Sequence, residues 1–314
     1  MSGNFKRLQV FDQSIDLAVF AEEELILNSR VRLLAAMPVL CSQGLLSFKQ
    51  NAVLSSDGQG CLAGQGVLRG ETRSSFLGCG AAGGSNLGAG GFGAKLKVEL
   101  EACARSAYAR SHGQLPWAGA AGGGCGVPAD ACAASRSGTD RMFSAGGGQV
   151  WLSSPEIYLH EGAQVSASGE DGMLIAYHGG LLASGGGAGG QIMVTTSKFF
   201  SACTRNGDSG CQVPKFSVHG GAAPCNSKTP SVGGAGGGGL IGLYCKDGNA
   251  EEIELDVSGG DLTSTCADSL PQKGRSVIIG QPGLAISMVP CQPGGGSLVH
   301  DGFRLLRLEH YGET

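Results

Sequence analysis

Apolar and polar residues alternate with a period of two in short stretches along most of the chain. Successive side chains of a β-strand point to opposite faces, so this pattern predicts short strands with one buried face. Convincing amphipathic helices are almost absent, and the sequence therefore predicts an all-β protein. The predicted buried positions are Val150, Leu152, Ile157, Leu159, Val165, Ile192, Val194, Phe216, Val218, Ile253, Leu255 and Val257.

The strands belong to a unit that recurs at irregular length. Five glycine runs, starting at Gly90, Gly146, Gly185, Gly233 and Gly294, are each followed directly by an alternating apolar segment. After the middle three comes a second short strand that ends in Ser or His before glycine, as in "VSASG", "FSVHG" and "LDVSG". Repeated short strands that share one core by stacking are typical of a solenoid, so we predict a parallel β-helix with long glycine-rich loops.

Glycine has a structural role in this prediction. Sharp corners between the sheets of a β-helix favour residues that tolerate a positive φ, and glycine does so at the lowest cost. Glycine runs also form extended, polyproline-II-like segments that pack together without side chains. We expect structural turn glycines at Gly148, Gly169, Gly190, Gly220, Gly239 and Gly259.

Composition divides the chain into three parts. Residues 1–50 are glycine-poor and are predicted to be N-terminal coils or a cap, residues 51–305 form the glycine-rich β-solenoid, and residues 306–314 are a C-terminal tail. Within the first part, Ile15–Met37 is rich in Leu, Ala and Glu. Strands are favoured there, and a helix that caps the solenoid is the alternative.

Cysteine usage indicates an oxidising compartment. The chain has 12 cysteines, with no CxxC pair and no spaced histidines beside them, so structural disulfides fit better than a zinc site. Buried free thiols in a reduced intracellular protein are the alternative. The opening stretch "MSGNFKRLQVFDQS" has no apolar segment of a signal peptide, so we expect a piece of a longer secreted or membrane-anchored chain. The disulfide candidates are Cys61, Cys79, Cys103, Cys125, Cys132, Cys203, Cys211, Cys225, Cys245, Cys266 and Cys291.

Charge and composition exclude several function classes. The formal net charge is −4 and the basic residues are scattered, which argues against a nucleic-acid partner. The 57 glycines are accompanied by a hydrophobic fraction of 41%, which argues against disorder of the whole chain. GxGxxG is found at Gly78, Gly88, Gly185 and Gly234, but the residues that follow it are strand-like, so we expect no nucleotide and no other cofactor.

The repeat resembles the glycine-rich surface proteins of plants and protists, whose extracellular part is similar to a pectin-lyase-like right-handed parallel β-helix. The resemblance covers roughly residues 45–305 and rests on "VSASGEDG" followed by "SGGGAGGQIMV" and on its two later copies. It implies a secreted structural or recognition module and no particular reaction. The stretch "PWAGAAGGGCG" is also similar in composition to the glycine-rich ectodomain region of anaplastic-lymphoma-type receptor kinases, where polyglycine strands bundle.

Candidate catalytic groups are sparse in the sequence. Enzymes built on β-helices line a groove with carboxylates, but Asp140, Glu170–Asp171 and Glu251–Glu254 do not recur at coil spacing. Trp117, Trp151, Tyr158 and Tyr177 are candidates for a carbohydrate-stacking platform, but aromatic residues make up only 6% of the chain and Trp151, within a strand, is expected in the core. We therefore expect a non-enzymatic extracellular structural, adhesive or assembly module that binds a protein or polysaccharide partner. The alternative is a polysaccharide lyase or glycoside hydrolase on the same scaffold.

Overall fold

The computed structural model describes residues 9–10, 13–14, 16–60, 80–96, 100–104, 144–177, 180–203, 210–225, 231–248, 253–263 and 278–287. This part of the chain is all-β, as the alternating pattern predicts. The strands are numbered in chain order. The first ten are β1 (Gln9–Val10), β2 (Gln13–Ser14), β3 (Leu17–Ala21), β4 (Glu24–Leu27), β5 (Arg32–Leu34), β6 (Pro38–Ser42), β7 (Leu45–Phe48), β8 (Val53–Ser55), β9 (Gly93–Leu96) and β10 (Leu100–Ala104). The second ten are β11 (Gln149–Leu159), β12 (Gln164–Ser166), β13 (Leu174–Tyr177), β14 (Gly180–Ala183), β15 (Gln191–Ser201), β16 (Lys215–Ser217), β17 (Ser231–Val232), β18 (Leu240–Gly248), β19 (Glu254–Asp256) and β20 (Leu284–Ser287).

Two parallel sheets contain most of these strands. The large sheet has eight strands, in which β20, β18, β15, β11, β6 and β3 lie in that order and β7 pairs with both β11 and β4. The small sheet has five strands in the order β19, β16, β12, β8, β5. The chain alternates between the two sheets, and one passage through the large sheet and then the small sheet is called a coil below. Equivalent strands of successive described coils are hydrogen-bonded in parallel.

The described part of the Ile15–Met37 region, residues 16–37, forms strands, so the strand prediction is confirmed there. It contains β3, β4 and β5, which are the large-sheet and small-sheet strands of the first described coil. Its helix-forming composition is overridden by packing, because Val19, Leu25 and Leu33 lie against the core and stack on apolar residues of the next coil.

The core consists of apolar rows that run across the strands. A row is a set of residues that occupy the same register position in neighbouring coils. One row of the large sheet is Val19, Leu40, Leu152, Val194 and Leu243. The facing row of the small sheet is Leu33, Leu54, Val165, Phe216 and Leu255. The predicted buried positions all belong to this core or, for Leu255, pack against its edge.

Left-handed backbone marks the corner between the large and small sheets in three successive coils. Arg30 (φ 62), Asn51 (φ 57) and Gly162 (φ 65) occupy this corner. Each backbone N–H donates to a backbone carbonyl of the next coil, Arg30 to Gln50, Asn51 to Glu161 and Gly162 to Gln212. The expected positive-φ corners therefore exist, but two of these three positions are not glycine.

Extended glycine segments carry the chain from the small sheet back to the large sheet. They pack side by side as a glycine bundle, in which backbone N–H groups donate to carbonyls of neighbouring segments. Examples of these N–H to carbonyl-oxygen bonds, with their N···O distances, are Gly147 to Ala188 (2.9 Å), Gly186 to Gly234 (2.8 Å) and Gly260 to Gly236 (2.7 Å). The segments of the bundle are 80–91, 144–148, 167–172, 184–190, 220–223, 233–239, 258–260 and 278–283.

One of the sequence-predicted units differs from the expected stacking. The glycine run at Gly90 leads into β9, which pairs antiparallel with β10 and β17 and lies outside both parallel sheets. Stacking of this copy in the coil was therefore a wrong expectation, because strand composition alone does not specify the pairing partner. The glycine run at Gly294 lies outside the described residues. Antiparallel hairpins are also formed by β1 with β2 and by β13 with β14.

Candidate functional site

The outer face of the small sheet carries a row of hydroxyl and carboxylate side chains. Ser55, Ser166, Ser217 and Asp256 occupy equivalent positions in four successive coils. Asp57 lies two residues beyond Ser55 and accepts hydrogen bonds from Ser55 Oγ (2.8 Å), Ser166 Oγ (2.7 Å) and the Ser168 N–H (2.6 Å). We call these residues, with Ser168 and Ser258, the serine–aspartate ladder.

Asp256 lies at the other end of the ladder and is held by three residues. It accepts from the Ser258 hydroxyl (2.7 Å) and from Ser217 Oγ (3.4 Å), and Lys215 Nζ lies 3.1 Å from its Oδ2. Burial alone would raise the pKa of Asp256, but the bonds from Ser258 and the charge of Lys215 outweigh it and lower the pKa. A carboxyl group with a lowered pKa is an anion at neutral pH, which suits a structural acceptor and not a general acid.

Lys215 completes the ladder by joining two acidic residues of the next coil. Its Nζ lies 3.0 Å from Glu254 Oε1 and 3.1 Å from Asp256 Oδ2. Burial alone would lower the pKa of Lys215, but its bonds to Glu254 and Asp256 outweigh it and raise the pKa. The ladder therefore ties neighbouring coils together with groups that are charged at neutral pH.

The outer face of the large sheet carries a row with exposed apolar side chains. Ile26, Ser47, Tyr158 and Phe200 occupy equivalent positions in β4, β7, β11 and β15. Ile26 is 39% exposed and Phe200 41% exposed, and the Tyr158 and Phe200 ring centroids are 6.2 Å apart. We call the three apolar residues Ile26, Tyr158 and Phe200 the aromatic strip. Ser47 lies under it, is 1% exposed and has no hydrogen-bond partner for its hydroxyl among the described residues.

Charged and polar groups flank the aromatic strip on both sides. On one side, Lys198 Nζ donates to Glu156 Oε1 at 2.8 Å. On the other, Lys49 Nζ lies 3.2 Å from His160 Nε2, and the His160 ring lies 4.7 Å from the ring of Tyr158. Burial and, to a smaller extent, the charge of Lys49 lower the pKa of His160, so the imidazole is neutral at neutral pH. A neutral imidazole can accept a hydrogen bond from the Lys49 ammonium.

The predicted turn glycines all lie in the glycine bundle or at its ends, but none of them has a positive φ. One expected reason for glycine, a positive φ, is therefore absent at these six positions, and the other, close packing of extended glycine segments, is found. A Cβ on any of them would overlap a backbone carbonyl oxygen of a neighbouring segment, so close approach of the backbone is the constraint. The overlapped carbonyls are those of Ala36 for Gly148, Gly187 for Gly169, Gly148 for Gly190, Gly236 for Gly220, Gly190 for Gly239 and Gly280 for Gly259.

Four of the disulfide candidates are in disulfide bonds. Cys203 and Cys211 form a disulfide with their Cα atoms 5.9 Å apart. Cys225 and Cys245 each take part in a disulfide as well. Cys41, which was not a candidate, is a free thiol whose pKa is raised by burial. The side chains of Cys61, Cys79, Cys103, Cys125, Cys132, Cys266 and Cys291 lie outside what the structure describes.

The aromatic and acidic candidates do not converge. Trp151 is partly buried on the outer face of the large sheet, and its indole N–H has no hydrogen-bond partner among the described residues. Tyr158 is the one sequence candidate found in the aromatic strip, whereas Trp117, the side chain of Tyr177, Asp140, Glu251 and Glu252 lie outside the described residues. The remaining acidic candidate, Glu254, is paired with Lys215. Glu170 and Asp171 instead accept hydrogen bonds from the backbone of Ala145 and Ala222.

Three further observations complete the description. Among the described residues, no group of three or more His, Cys, Asp and Glu side chains could hold a metal ion. The described part also contains no helix that is long and apolar enough to cross a membrane. The chain matches no protein-family model, no curated protein and no solved structure at a significant level.

Proposed function

We propose that the chain is a right-handed parallel β-helix that acts as a structural or adhesive module and binds through its outer surface. The in-register stacking of equivalent strands supports the solenoid, because each coil repeats the register of the one before it. A right-handed connection is the overwhelmingly common form for parallel strands joined by a crossover. The same fold is implied by the resemblance to glycine-rich surface proteins.

The use of the ladder carboxylates favours binding over catalysis. Asp57 accepts three hydrogen bonds from neighbouring residues, and Asp256 is held by Ser217, Ser258 and Lys215. A general acid in a glycosidase needs a raised pKa, and that of Asp256 is lowered. The carboxylates of the ladder therefore serve to link coils, and this is the observation on which the non-enzymatic proposal rests.

The exposed outer face of the large sheet supports a binding role. It carries Phe20, Ile26, Phe200 and Tyr244, each between 39% and 65% exposed, on strands fixed by pairing to their neighbours. Aromatic side chains held on a rigid scaffold lose little conformational entropy on binding, which favours recognition. The Cys203–Cys211 disulfide is compatible with the extracellular location that we propose.

The deciding experiment measures binding and turnover together. The purified chain is applied to an array of immobilised polysaccharides and extracellular surface proteins, and the polysaccharide spots are assayed for new reducing ends and unsaturated sugar products. The heat-denatured wild-type chain is the unfolded control. Retention of the wild-type chain without products supports the module. Products would favour a lyase or hydrolase, and the absence of any retention would contradict a binding role.

A further inference from the structure

The aromatic strip has the form of a ligand platform. Its row of apolar side chains is one residue wide, and Phe200 and Ile26 are exposed at its two ends. Parallel strands lie about 4.8 Å apart, a spacing close to the advance of an extended polysaccharide by one sugar unit. A strip this narrow is small for a protein interface, which needs about 800 Å² per partner. Sugar rings, which present one apolar face, need only one or two aromatic rings to stack on.

A cation stands beside the strip without an acidic partner. Among the described residues Lys49 is paired with no carboxylate, and its Nζ lies 3.2 Å from His160 Nε2. The nearest acidic residue in sequence to His160 is Glu161, whose two oxygens are bound by Gln50 Nε2 (3.0 Å) and the Gln212 N–H (3.4 Å). The other cation at the strip, Lys198, is bound to Glu156. The charge of Lys49 is therefore available to an anionic ligand.

We propose that the aromatic strip binds an anionic polysaccharide, with sugar rings stacked on Tyr158 and Phe200 and an acidic group at Lys49. This inference rests on the proposed binding function and names the ligand class for one surface. The acidic group is a carboxylate or a sulfate, since both are matched by an ammonium group. His160 positions Lys49 by accepting from its ammonium and by lying against the Tyr158 ring.

The test is affinity electrophoresis of the full chain in gels that contain alginate, dextran sulfate or uncharged dextran. Alginate tests the carboxylate, dextran sulfate tests the sulfate, and dextran measures binding of neutral sugar. The variants are Phe200→Ala and Lys49→Gln, which remove the stacking ring and the cation separately. The matched control is Leu34→Ala, because Leu34 is 65% exposed but lies on the small sheet, outside the proposed binding face. Melting temperatures of all variants show that the fold is retained.

The expected result is retardation by alginate or dextran sulfate but not by dextran. Phe200→Ala and Lys49→Gln should each weaken this retardation about fivefold, in line with the loss of one aromatic contact or one charge contact, and Leu34→Ala should not. Equal retardation of all variants, retardation by dextran, or none by any gel would overturn the proposal. An effect of Lys49→Gln alone would also overturn it, because binding would then be purely electrostatic. If the wild-type chain is retained on the array but is retarded by neither alginate nor dextran sulfate, the binding module stands and only this site is rejected.

Discussion

Gly190 lies so close to Gly148 of the preceding coil that a Cβ atom on Gly190 would overlap the Gly148 carbonyl oxygen. The same relationship recurs one coil later, where a Cβ on Gly239 would overlap the carbonyl of Gly190. Both glycines directly precede large-sheet strands, and the Gln191 N–H donates to the Gly148 carbonyl at 2.9 Å. Backbone approach at this column of glycines therefore places each strand on the one before it.

Gly190→Ala is expected to destabilise the fold by about 3 kcal/mol, as for an overpacked interior site. The Cβ meets backbone of two neighbouring glycines, Gly147 and Gly148, which cannot move without displacing the strands that follow. Chemical denaturation monitored by circular dichroism measures the change. Gly242→Ala is the control, because the new Cβ would meet only the flexible end of the Met193 side chain. Equal stability of the two variants would contradict the close-approach explanation.

The sequence predicts strand identity and buried face well, because a period of two is a local signal. Val150, Leu152, Ile192 and Val194, for example, lie in the core as predicted. The sequence does not show why a glycine is required at a given position. Glycine fits both a backbone with a positive φ and a backbone that closely approaches its neighbour. Among the described residues a positive φ occurs at Gly58, Gly162 and Gly210, outside the six predicted glycines, and also at Arg30 and Asn51, which no glycine pattern could indicate.

The candidate binding surface was only partly accessible from sequence. Tyr158 was recognised as an aromatic candidate. Lys49 contacts His160, which lies beside Tyr158, but Lys49 and His160 are 111 residues apart along the chain. The variable loops between coils change the spacing from one coil to the next, so sequence distance does not reveal which residues share a row. Phe200 was missed for the same reason, and only the register of β11 with β15 places it beside Tyr158.

Asp256→Asn should lower the free energy of unfolding by about 1 kcal/mol at neutral pH, the usual size for a partly exposed ion pair and its hydrogen bonds. The pKa of Asp256 is lowered in the folded state, so its contribution is complete above the unfolded value, near 4, and is lost as the pH falls through the folded value. The difference between wild type and variant should thus be constant from about pH 7 to 5 and should shrink at lower pH.

Urea denaturation at a series of pH values measures this difference. Glu22→Gln is the matched control, because it removes one carboxylate from an exposed position on the edge coil. A destabilisation by Asp256→Asn that grows as the pH falls would have the wrong sign and would contradict the role of Asp256 as an ionised acceptor.

Removing the Cys203–Cys211 disulfide by the double change to alanine should cost about 2.5 kcal/mol, from the chain entropy of so short a loop. The two cysteines are separated by eight positions and join the end of β15 to the segment that leads into β16. Thermal unfolding of wild type and variant at one scan rate measures the loss. Cys41→Ser serves as the comparison because Cys41 is a free thiol. A variant as stable as the wild type would show that this disulfide does not restrict the unfolded chain.

Ser47→Ala should leave the fold as stable or make it more stable by about 1 kcal/mol, because it removes a buried hydroxyl that has no partner. Ser47 is 1% exposed beneath the aromatic strip, and its Oγ makes no hydrogen bond among the described residues. Ser154→Ala is a matched contrast, since Ser154 is also buried but its hydroxyl bonds the carbonyls of Gly44 and Glu156, each at 2.9 Å. That variant should lose about 1 kcal/mol. Urea midpoints of the two variants are compared with that of the wild type. If Ser47→Ala were destabilised as much as Ser154→Ala, the Ser47 hydroxyl would have a partner in solution.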